Sequence, residues 1–441
     1  MTTLAAVSLL IWLYLVAAHG RFWQAGPELA PTRPSIAPPV HVVVPARDEA
    51  PMIAASLRSL LRQDYAGPLR VILVDDGSTD STGTIARGLI PRIGGDEVVG
   101  PATTPDVASP ITMPSTVMAG LGPATHDCGV EPPTAVGDRA KPGHDSSVVG
   151  IAAATSAVFP HRSLTILDGR PRPAGLSGKL WAVAQGVAET DDAELIVLTD
   201  ADIVHDTRHI ATLVAQAERG DFDLVSEMVA LSCNSPAERA LVPAFVLFFQ
   251  LLYPFAWVND PLRATAAAAG GTILLRRRAL ERIGGIAAVR GALIDDVALA
   301  AAVKRGGRIW LGHSALARSL RSYPTAADIW RMVTRTAYVQ LRFSPLLLAM
   351  TIAAMTVTFL APPFAALFAH GVARWFGWLA WGLMAASYQP TLHRFHRSVL
   401  WAPALPVVAT FYLAATIGSA VNHHLGRGVA WKGRAYQGAG A

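Results

Sequence analysis

Charged residues are scarce in this sequence. Asp, Glu, Lys and Arg make up 16 % of its 441 residues, whereas apolar residues make up 52 %. Soluble domains usually carry about 25 % charged residues, so this composition favours a chain that is partly in contact with a bilayer. The length is sufficient for one catalytic domain of roughly 200–250 residues together with membrane segments.

Cysteine is also scarce, and its pattern excludes two classes of small domain. Cys128 and Cys233 are the only cysteines, so neither a disulfide framework nor a zinc site is indicated. The formal net charge of +5 does not indicate a nucleic-acid partner, because no stretch interleaves clustered Lys and Arg with aromatic residues. The basic residues lie beside hydrophobic runs, where they are expected to set membrane orientation and to contact anionic lipid.

Four apolar runs predict membrane segments. The run at 4–18 is predicted to be an uncleaved anchor, because no Lys or Arg precedes it and no small-x-small cleavage site follows it. A cleaved signal peptide is the alternative. The runs at 345–369, 372–386 and 399–421 suit spans across a hydrocarbon core of roughly 30 Å, the second only with its aromatic flanks included.

These runs define the predicted domain organisation. It comprises an amino-terminal anchor (1–23), a proline-rich linker (24–39), a catalytic domain (40–343), a region of about three spans (344–422) and a basic tail (423–441). The positive-inside rule puts the basic loop 393–397 in the cytoplasm. With four spans the catalytic domain is cytoplasmic too, which predicts a multi-pass protein of the inner (cytoplasmic) membrane.

The basic tail conflicts with that topology. Arg427, Lys432 and Arg434 would lie outside, contrary to the positive-inside rule. Either one apolar run is re-entrant, with a break at Pro362-Pro363 favoured, or the tail departs from a statistical rule.

The region between the linker and the later spans alternates strand and helix patterns. This rhythm predicts an α/β domain with a mostly parallel sheet and helices on both faces. The predicted strands are 40–44, 69–74, 164–167 and 195–199, and the predicted helices include 49–62 and 176–187.

Polar residues follow three of these predicted strands, at 45–49, 75–78 and 200–202. Ligands of open α/β sheets bind beyond the carboxyl ends of the strands. Three acidic or mixed clusters at such positions are hard to explain by solubility alone, so we expect a ligand site there.

Residues 94–150 interrupt the rhythm. They are rich in Pro, Gly, Ala, Ser and Thr and show neither a helical nor a strand period. A loop of this length inside a compact domain predicts disorder, and a tolerated surface insertion is the favoured interpretation. Metal binding by His126, Asp127, His144 and Asp145 is the less favoured alternative.

The clearest chemical signal is an Asp-x-Asp pair. Asp200 and Asp202 come directly after the apolar run 195–199, and strand alternation would point both side chains to the same side. Hard carboxylate oxygens suit Mg²⁺ or Mn²⁺ together with a substrate diphosphate. In the segment 75–80, Asp76 is predicted to contact a nucleotide and Asp80 to cap a helix.

The motifs together resemble the family 2 glycosyltransferases with the GT-A fold, over about residues 40–343 without the insertion. The sequences that carry the resemblance are VVVPARDE, VDDGSTDST, GLSGKLWA, LTDAD, GGTILLRRRAL, LIDDVAL and TRTAYVQL. Combined with one amino-terminal anchor and carboxyl-terminal spans, they look most like the hopanoid-biosynthesis-associated subgroup. This resemblance implies hexosyl transfer from a nucleotide sugar, with UDP favoured, to a hopanoid or other polyisoprenoid lipid.

The resemblance also implies roles for individual residues. Those that match the donor site are Pro45, Arg47, Glu49 and Asp76 for the uridine pocket, and Lys179 for the phosphates. Asp200 and Asp202 match the metal and diphosphate motif. Asp296 matches the general base, and Arg335 and Gln340 loosely match the Gln-x-x-Arg-Trp region that closes over the donor.

Two positions depart from the family pattern. Asp295 stands where the family has Glu, so the acceptor is expected to be positioned differently. Thr336 replaces the Trp of processive synthases, which argues against polymer synthesis. A single base with in-line attack implies inversion at the anomeric carbon, because no second nucleophile is evident.

The acceptor region and the rival functions stay open at this stage. Residues 243–258 are apolar nearly all round but short for a span, and they predict a core or interfacial helix that either packs or guides a lipid acceptor. Residues 330–343 predict an interfacial helix. The rivals are a catalytically inactive membrane scaffold and a sugar-phosphate nucleotidylyltransferase, which would need a Gly-rich basic loop after the first strand.

Overall fold

The computed structural model describes residues 1–90, 162–173, 176–190, 193–290, 292, 295–426, 429–431 and 434–436. The predicted insertion at 94–150 lies outside the described residues, together with its four candidate metal ligands. The disorder assigned to it therefore stays a prediction.

Within the described residues, eight strands form one sheet in the order β3-β2-β1-β4-β7-β6-β8-β5. The strands are β1 (Val40–Ala46), β2 (Leu69–Asp75), β3 (Arg162–Asp168), β4 (Leu195–Thr199), β5 (Ile203–His205), β6 (Leu224–Ala230), β7 (Thr272–Arg276) and β8 (Ile309–Ser319). Two short strands, β9 (Val429–Trp431) and β10 (Arg434–Tyr436), form a separate antiparallel pair.

The sheet is mixed, but six of its eight described strands run in one direction, because β6 and β8 also pair parallel. The prediction of a mostly parallel sheet therefore misses the antiparallel strands β5 and β7. Strands β3, β2, β1 and β4 are all parallel, as the alternating pattern predicts. Strand β7 then pairs antiparallel with both β4 and β6, and β5 pairs antiparallel with β8. The alternation of strand and helix gives the order of elements along the chain, but it does not fix the direction of a strand such as β7, which enters after a long helical excursion.

Helices cover both faces of the sheet. The helices of this domain are α2 (Ala50–Leu61), α3 (Thr82–Arg87), α4 (Gly178–Ala188), α5 (His209–Gly220), α6 (Pro236–Leu252), α7 (Phe255–Asn259), α8 (Arg277–Arg282), a 3₁₀ turn (Ile286–Val289) and α9 (Asp295–Lys304). Val42 of β1 packs in one core with Leu57 of α2 and Ile210 of α5. Val43 points the other way and packs with Leu180 of α4. The alternation of adjacent valines thus builds a core on each face.

A helical layer adjoins this domain. It contains α1 (Thr2–Ala18), α10 (Ala326–Gln340), α11 (Pro345–Met355), a π turn (Thr356–Leu360), α12 (Ala361–Phe368), α13 (Val372–Arg394), a 3₁₀ turn (Val399–Ala404) and α14 (Leu405–His424). A third core joins it to the catalytic domain, because Trp12 and Tyr412 pack with Leu241 of α6.

Length and composition single out two candidate spans among the described residues. Pro345–Phe368 and Val399–His424 have mean hydropathies of 1.8 and 1.7, and 22 % and 50 % of their apolar windows are buried within the chain. Helix α1 is apolar but shorter. Four spans were predicted, and this criterion supports two of them.

Candidate active site

A pocket opens at the carboxyl ends of β1 and β4, where the strand-end pattern predicts a ligand site. Its polar lining is contributed by Lys179 of α4, Asp200 after β4, and Asp295 and Asp296 at the start of α9. Apolar side chains such as Leu180 and Ile273 form its floor. The pocket therefore brings residues from three separate sequence motifs to one place.

Helix α4 positions the lysine. Its first turn is capped by Ser177, whose hydroxyl accepts a hydrogen bond of 3.0 Å from the amide of Leu180. Lys179 Nζ lies 2.7 Å from Asp200 Oδ1, and about a third of each side chain is exposed. The ammonium and the carboxylate therefore form a pair that is accessible from the pocket.

Gly270 forms the wall between Lys179 and the start of α9. A Cβ atom at this position would lie 3.0 Å from Asp296 Oδ2 and 3.7 Å from Lys179 Nζ. A side chain here would crowd the Asp296 carboxylate and contact the Lys179 ammonium. The absence of a side chain at position 270 thus lets a carboxylate and an ammonium approach the same spot.

Burial and neighbouring charges in the pocket shift the pKa values of its ionisable side chains. Burial and the neighbouring charge of Asp295 raise the pKa of Asp296 to about 7, although Lys179 opposes the shift. Burial also raises the pKa of Asp200 in spite of Lys179. Burial disfavours the charge of Lys179, but Asp200, Asp295 and Asp296 outweigh it and raise the pKa of the lysine. Asp296 is thus able to exchange a proton near neutral pH.

A turn, rather than an extended strand, places the two carboxylates of the Asp-x-Asp pair. Strand β4 ends at Thr199, and the amide of Ile203 donates to the carbonyl of Asp200 across the turn. The predicted alternation of strand side chains at Asp200 and Asp202 is therefore wrong. Asp202 faces different partners: its Oδ2 accepts from Ser319 Oγ at 3.0 Å and from Arg321 Nε at 3.1 Å.

Arg321 links two of the predicted clusters, and the sequence reasoning missed it. Its Nη2 lies 2.7 Å from Glu49 Oε1, while its Nε binds Asp202. The residue follows β8, so the rule that polar residues at strand ends mark ligand sites would have found it. The signal was overlooked because 309–319 was not among the predicted strands.

The ends of β1 and β2 are joined by a buried contact. Arg47 Nη1 donates to the carbonyl of Asp76 at 2.5 Å and lies 3.7 Å from Asp76 Oδ2. Asp80 accepts at 3.0 Å from the amide of Ala50, in the first turn of α2, and at 2.9 Å from the amide of Thr82 in α3. Asp80 therefore accepts from first-turn amides of two helices, but it is the N-cap of neither, because Glu49 precedes α2 and Ser81 precedes α3. The predicted N-cap position is wrong by one residue.

The structure brings some of the predicted residues together and leaves others apart. Those that line the pocket are Pro45, Lys179, Asp200, Asp295 and Asp296. Arg47, Glu49, Asp76 and Asp202 lie outside its lining, in the contacts described above. Arg335 and Gln340 are exposed on α10, and Gln340 Nε2 donates to the hydroxyl of Tyr253.

The acids fit a metal only if a substrate supplies ligands. Among the described residues, no group of three or more His, Cys, Asp and Glu side chains converges as a metal site. Asp200 and Asp202 offer hard carboxylate oxygens on one turn, and Mg²⁺ is commonly held by one or two carboxylates together with substrate phosphates and water. The pair therefore fits a Mg²⁺ or Mn²⁺ ion shared with a diphosphate.

Comparison with protein families gives two matches. A sequence model described as Glycosyl transferase family 21 matches residues 142–439, which is more than half of the chain. A model described as Glycosyl transferase family 2 matches residues 41–99. Both of these families consist of glycosyl transferases.

Two curated relatives match over short stretches. An N-acetylglucosaminyltransferase from Rhizobium leguminosarum bv. viciae is 36 % identical over 93 residues, which are 20 % of this chain and 22 % of the relative. An N-acetylglucosaminyltransferase from Bradyrhizobium elkanii is 50 % identical over 46 residues, which are 10 % of this chain and 25 % of the relative. The chain thus spans a quarter or less of the length of these relatives.

Solved structures are similar at low identity. The mannosyltransferase PcManGT from Pyrobaculum calidifontis, in complex with GDP-Man and Mn²⁺, is 17 % identical with a TM-score of 0.48, covering 95 % of this chain and 98 % of that chain. TarS 1-349 from S. aureus, in complex with UDP-GlcNAc, is 11 % identical with a TM-score of 0.37, covering 90 % and 95 %. These similarities do not bear on substrate or mechanism.

Proposed function

The chain belongs to glycosyl transferase family 21, and from this premise we propose that it moves a sugar from a nucleotide-diphosphate donor to a lipid acceptor at the cytoplasmic face of a membrane. One observation carries the proposal: a single pocket gathers Asp296, Asp295, Lys179 and Asp200 at the carboxyl edge of the sheet. This arrangement offers a cation for a leaving diphosphate and a carboxylate for an attacking hydroxyl. Glycosyl transfer requires both.

Lys179 and the Asp-x-Asp turn form the donor side of the proposed site. The ammonium of Lys179 is reachable from the pocket and is held by Asp200 at 2.7 Å. A diphosphate entering the pocket exchanges this contact for one of its own oxygens, so the positive charge meets the charge that develops on the leaving group. Asp200 and Asp202 would hold a Mg²⁺ or Mn²⁺ ion, which when bound supplies further neutralisation of the diphosphate.

Asp296 is the proposed general base. It lies across Gly270 from Lys179, and its pKa of about 7 allows it to accept a proton from a hydroxyl at neutral pH. Asp295 precedes it in the first turn of α9 and its charge contributes to that pKa. One base on the acceptor side with attack in line with the leaving group gives inversion at the anomeric carbon.

The remaining predicted residues frame the donor. Arg47 and Asp76, at the ends of β1 and β2, lie at the edge where we place the nucleoside, and Pro45 of β1 lines the pocket together with Lys179. Arg335 and Gln340 lie on α10, which continues into the apolar helix α11. We propose that this helix borders the path of the acceptor from the bilayer to Asp296.

The apolar helices support a lipid acceptor. Pro345–Phe368 exposes most of its apolar surface, with only 22 % of its window buried. A surface of this kind is stable in hydrocarbon rather than in water. A hopanoid or other polyisoprenoid lipid is the proposed acceptor class, and the names of the two curated relatives favour UDP-N-acetylglucosamine as the first donor to test.

A transfer assay on membranes containing the full chain tests the proposal. With UDP-N-acetylglucosamine and a polyisoprenoid lipid extract, we expect release of nucleoside diphosphate together with a new glycolipid seen by mass spectrometry. Excess EDTA should abolish both signals, and added Mg²⁺ or Mn²⁺ should restore them.

The matched control is Asp200→Asn, which keeps the size of the side chain and removes its charge. A panel of UDP- and GDP-sugars that yields no glycolipid with the wild-type chain would contradict the proposal. Activity that is undiminished in EDTA would contradict the metal.

A further inference from the structure

The last apolar segment, residues 395–424, begins and ends at the catalytic domain. At its beginning, Arg394 Nη1 lies 3.5 Å from Glu28 Oε2, and Glu28 forms a β-bridge with His313 of β8. The side chain of Phe395 packs against the core of the domain that contains β1 and β4. The carboxyl end of α13 is therefore anchored on the catalytic side.

From there the chain runs back along α13. The indole nitrogen of Trp381 donates to the carbonyl of Pro403 at 3.0 Å. At 1.5 Å per helical residue, Trp381 lies about 20 Å from Arg394 along the axis of α13. The 3₁₀ turn Val399–Ala404 thus leads away from the catalytic domain to a point well inside the helical layer.

Helix α14 then returns. Its middle contacts α6, where the hydroxyl of Tyr412 donates to the carbonyl of Leu241 at 2.9 Å. Further on, Ser419 Oγ accepts from the amide of Tyr338 at 3.1 Å. At its end, the ring of His423 stacks on Phe343 at 4.4 Å between centroids.

The contacts at the end of α14 reach the catalytic domain through α10, which belongs to the helical layer. His424 Nε2 lies 3.1 Å from the hydroxyl of Tyr338 on α10. Gln340, two residues after Tyr338 on α10, donates a hydrogen bond to the hydroxyl of Tyr253. The ring of Tyr253 contacts Phe249, which in turn contacts Phe255 in the domain core. Both ends of the segment 395–424 are therefore fixed to the same side.

The other apolar helices behave differently. A separate cluster of small side chains lies at the far end of these helices. It contains Ala5 of α1, Ala365 of α12, Ala369 directly after α12, and Ala373 of α13. Close packing brings α12 and α13 together there, since a Cβ atom on Gly377 would lie 2.4 Å from the amide nitrogen of Ala366. The opposite end of α1 is at the catalytic domain, where His19 Nε2 lies 2.9 Å from the carbonyl of Leu251. These helices thus connect the catalytic side to a remote end.

We infer that residues 395–424 form a re-entrant hairpin, which enters the membrane and leaves it on the catalytic side. In the described residues, α1, the continuous run α11 to α12, and α13 are then the three crossings. Of these the run α11 to α12 also meets the length and hydropathy criterion, whereas Val399–His424 meets it but contacts the catalytic side at its end. This inference rests on the membrane placement in the proposed function. With three crossings and the end of α14 on the catalytic side, the four-span topology that conflicts with the positive-inside rule no longer applies.

The predicted position of the re-entrant break is wrong. Pro362 and Pro363 follow a π turn and do not interrupt the helix. The preceding π turn, Thr356–Leu360, keeps the helix continuous from Pro345 to Phe368. The break lies instead at residues 395–404, where the 3₁₀ turn contacts α13 through the buried Ala402 and the Trp381–Pro403 hydrogen bond, while Leu400 is exposed.

Cysteine accessibility in sealed membranes tests the hairpin. Cys128 and Cys233 would first be replaced by Ser in the full chain. Single cysteines would then be placed at three exposed positions: His370→Cys at the remote end, Leu262→Cys in the catalytic domain and Leu425→Cys after α14. The probe is a membrane-impermeant maleimide, applied to intact spheroplasts and to inverted vesicles of an expression host.

The hairpin predicts that His370→Cys reacts in spheroplasts and is protected in inverted vesicles. Leu262→Cys and Leu425→Cys should both show the opposite pattern, with at least a tenfold difference between the two preparations. Labelling of Leu425→Cys together with His370→Cys would overturn the hairpin and leave the membrane placement intact. Labelling of all three cysteines in both preparations would show that no membrane separates them. This result would contradict the proposed membrane placement, and the hairpin with it.

Discussion

Two clusters of ionisable side chains lie on either side of the end of β4, and they differ in access to water. The pocket cluster is Lys179, Asp200, Asp295 and Asp296, and its lysine and Asp200 are about a third exposed. The interior cluster is His205, His209 and Glu227, whose side chains are enclosed. The pocket cluster can therefore exchange its contacts for a ligand, whereas the enclosed interior cluster cannot.

The interior cluster is a chain of short contacts. His209 Nε2 lies 2.5 Å from Glu227 Oε1, and the Nδ1 atoms of His209 and His205 are 2.8 Å apart. His205 Nε2 lies 3.4 Å from the hydroxyl of Thr199, which donates to the carbonyl of Gly271 at 2.8 Å. Burial and the neighbouring His209 hold the pKa of His205 well below its usual range. The cluster thus supports the backbone immediately behind Asp200 and Gly270.

The largest effect is expected from breaking the interior cluster. Glu227→Ala leaves His209 without its carboxylate in an enclosed space, and a buried polar group left without its partner costs about 1–3 kcal/mol, and more when it is charged. We expect a large drop in the thermal unfolding midpoint of the detergent-solubilised chain. The control is Glu281→Ala on the exposed side of α8, which should change the midpoint little. A Glu227→Ala chain as stable as this control would remove the distinction between the two clusters.

A smaller effect is expected at Arg321, which connects the Asp-x-Asp turn to Glu49. Arg321→Gln should weaken metal-dependent nucleotide binding by about 10–100-fold, because groups that orient a metal ligand usually contribute that much. Arg321→Lys should recover part of this loss, since an ammonium can hold one of the two carboxylates. Titration with a fluorescent nucleotide, with and without Mg²⁺, measures the change.

The matched control for Arg321 is Arg331→Gln. Arg331 also pairs with an acid, Asp328, but it does so on the exposed face of α10. Exposed pairs contribute little, so this variant should bind nucleotide as the wild-type chain does. Equal losses for the two variants would show that Arg321 has no specific role in the site.

The sequence predicted the pocket better than the interior cluster, for a physical reason. Asp200 follows an apolar strand directly, and parallel strands bring their carboxyl ends to one edge. His205, His209 and Glu227 come from β5, α5 and β6, and their proximity depends on strand pairings that the pattern did not reveal. The one available signal was Glu227 within the otherwise apolar run LVSEMVA.

The same limit applies to the fold. The parallel strands β1, β2, β3 and β4 were predicted from alternating strand and helix, whereas the antiparallel entry of β7 was not. The prediction of a glycosyltransferase is confirmed by the family matches. The hopanoid subgroup, the roles of the site residues and the lipid acceptor stay predictions, because no sequence pattern alone fixes which molecule enters the pocket.

Asp296→Asn tests the central claim, that the pocket separates a base from a donor-binding site. The variant should retain nucleotide affinity, because its carboxylate is proposed to face the acceptor rather than the diphosphate. Sugar transfer should fall by about 10²–10⁴-fold, the usual contribution of a positioned general base. A base must be deprotonated to act, so the wild-type rate should also rise with pH through about 7, and the variant should lack this rise.

The decisive comparison is with Asp202→Asn, measured by nucleotide titration and transfer assay on the same membranes. The account predicts that Asp202→Asn loses nucleotide affinity and transfer together, whereas Asp296→Asn loses transfer alone. Near-normal transfer by Asp296→Asn would contradict the account, and Asp295 would then have to be tested as the base.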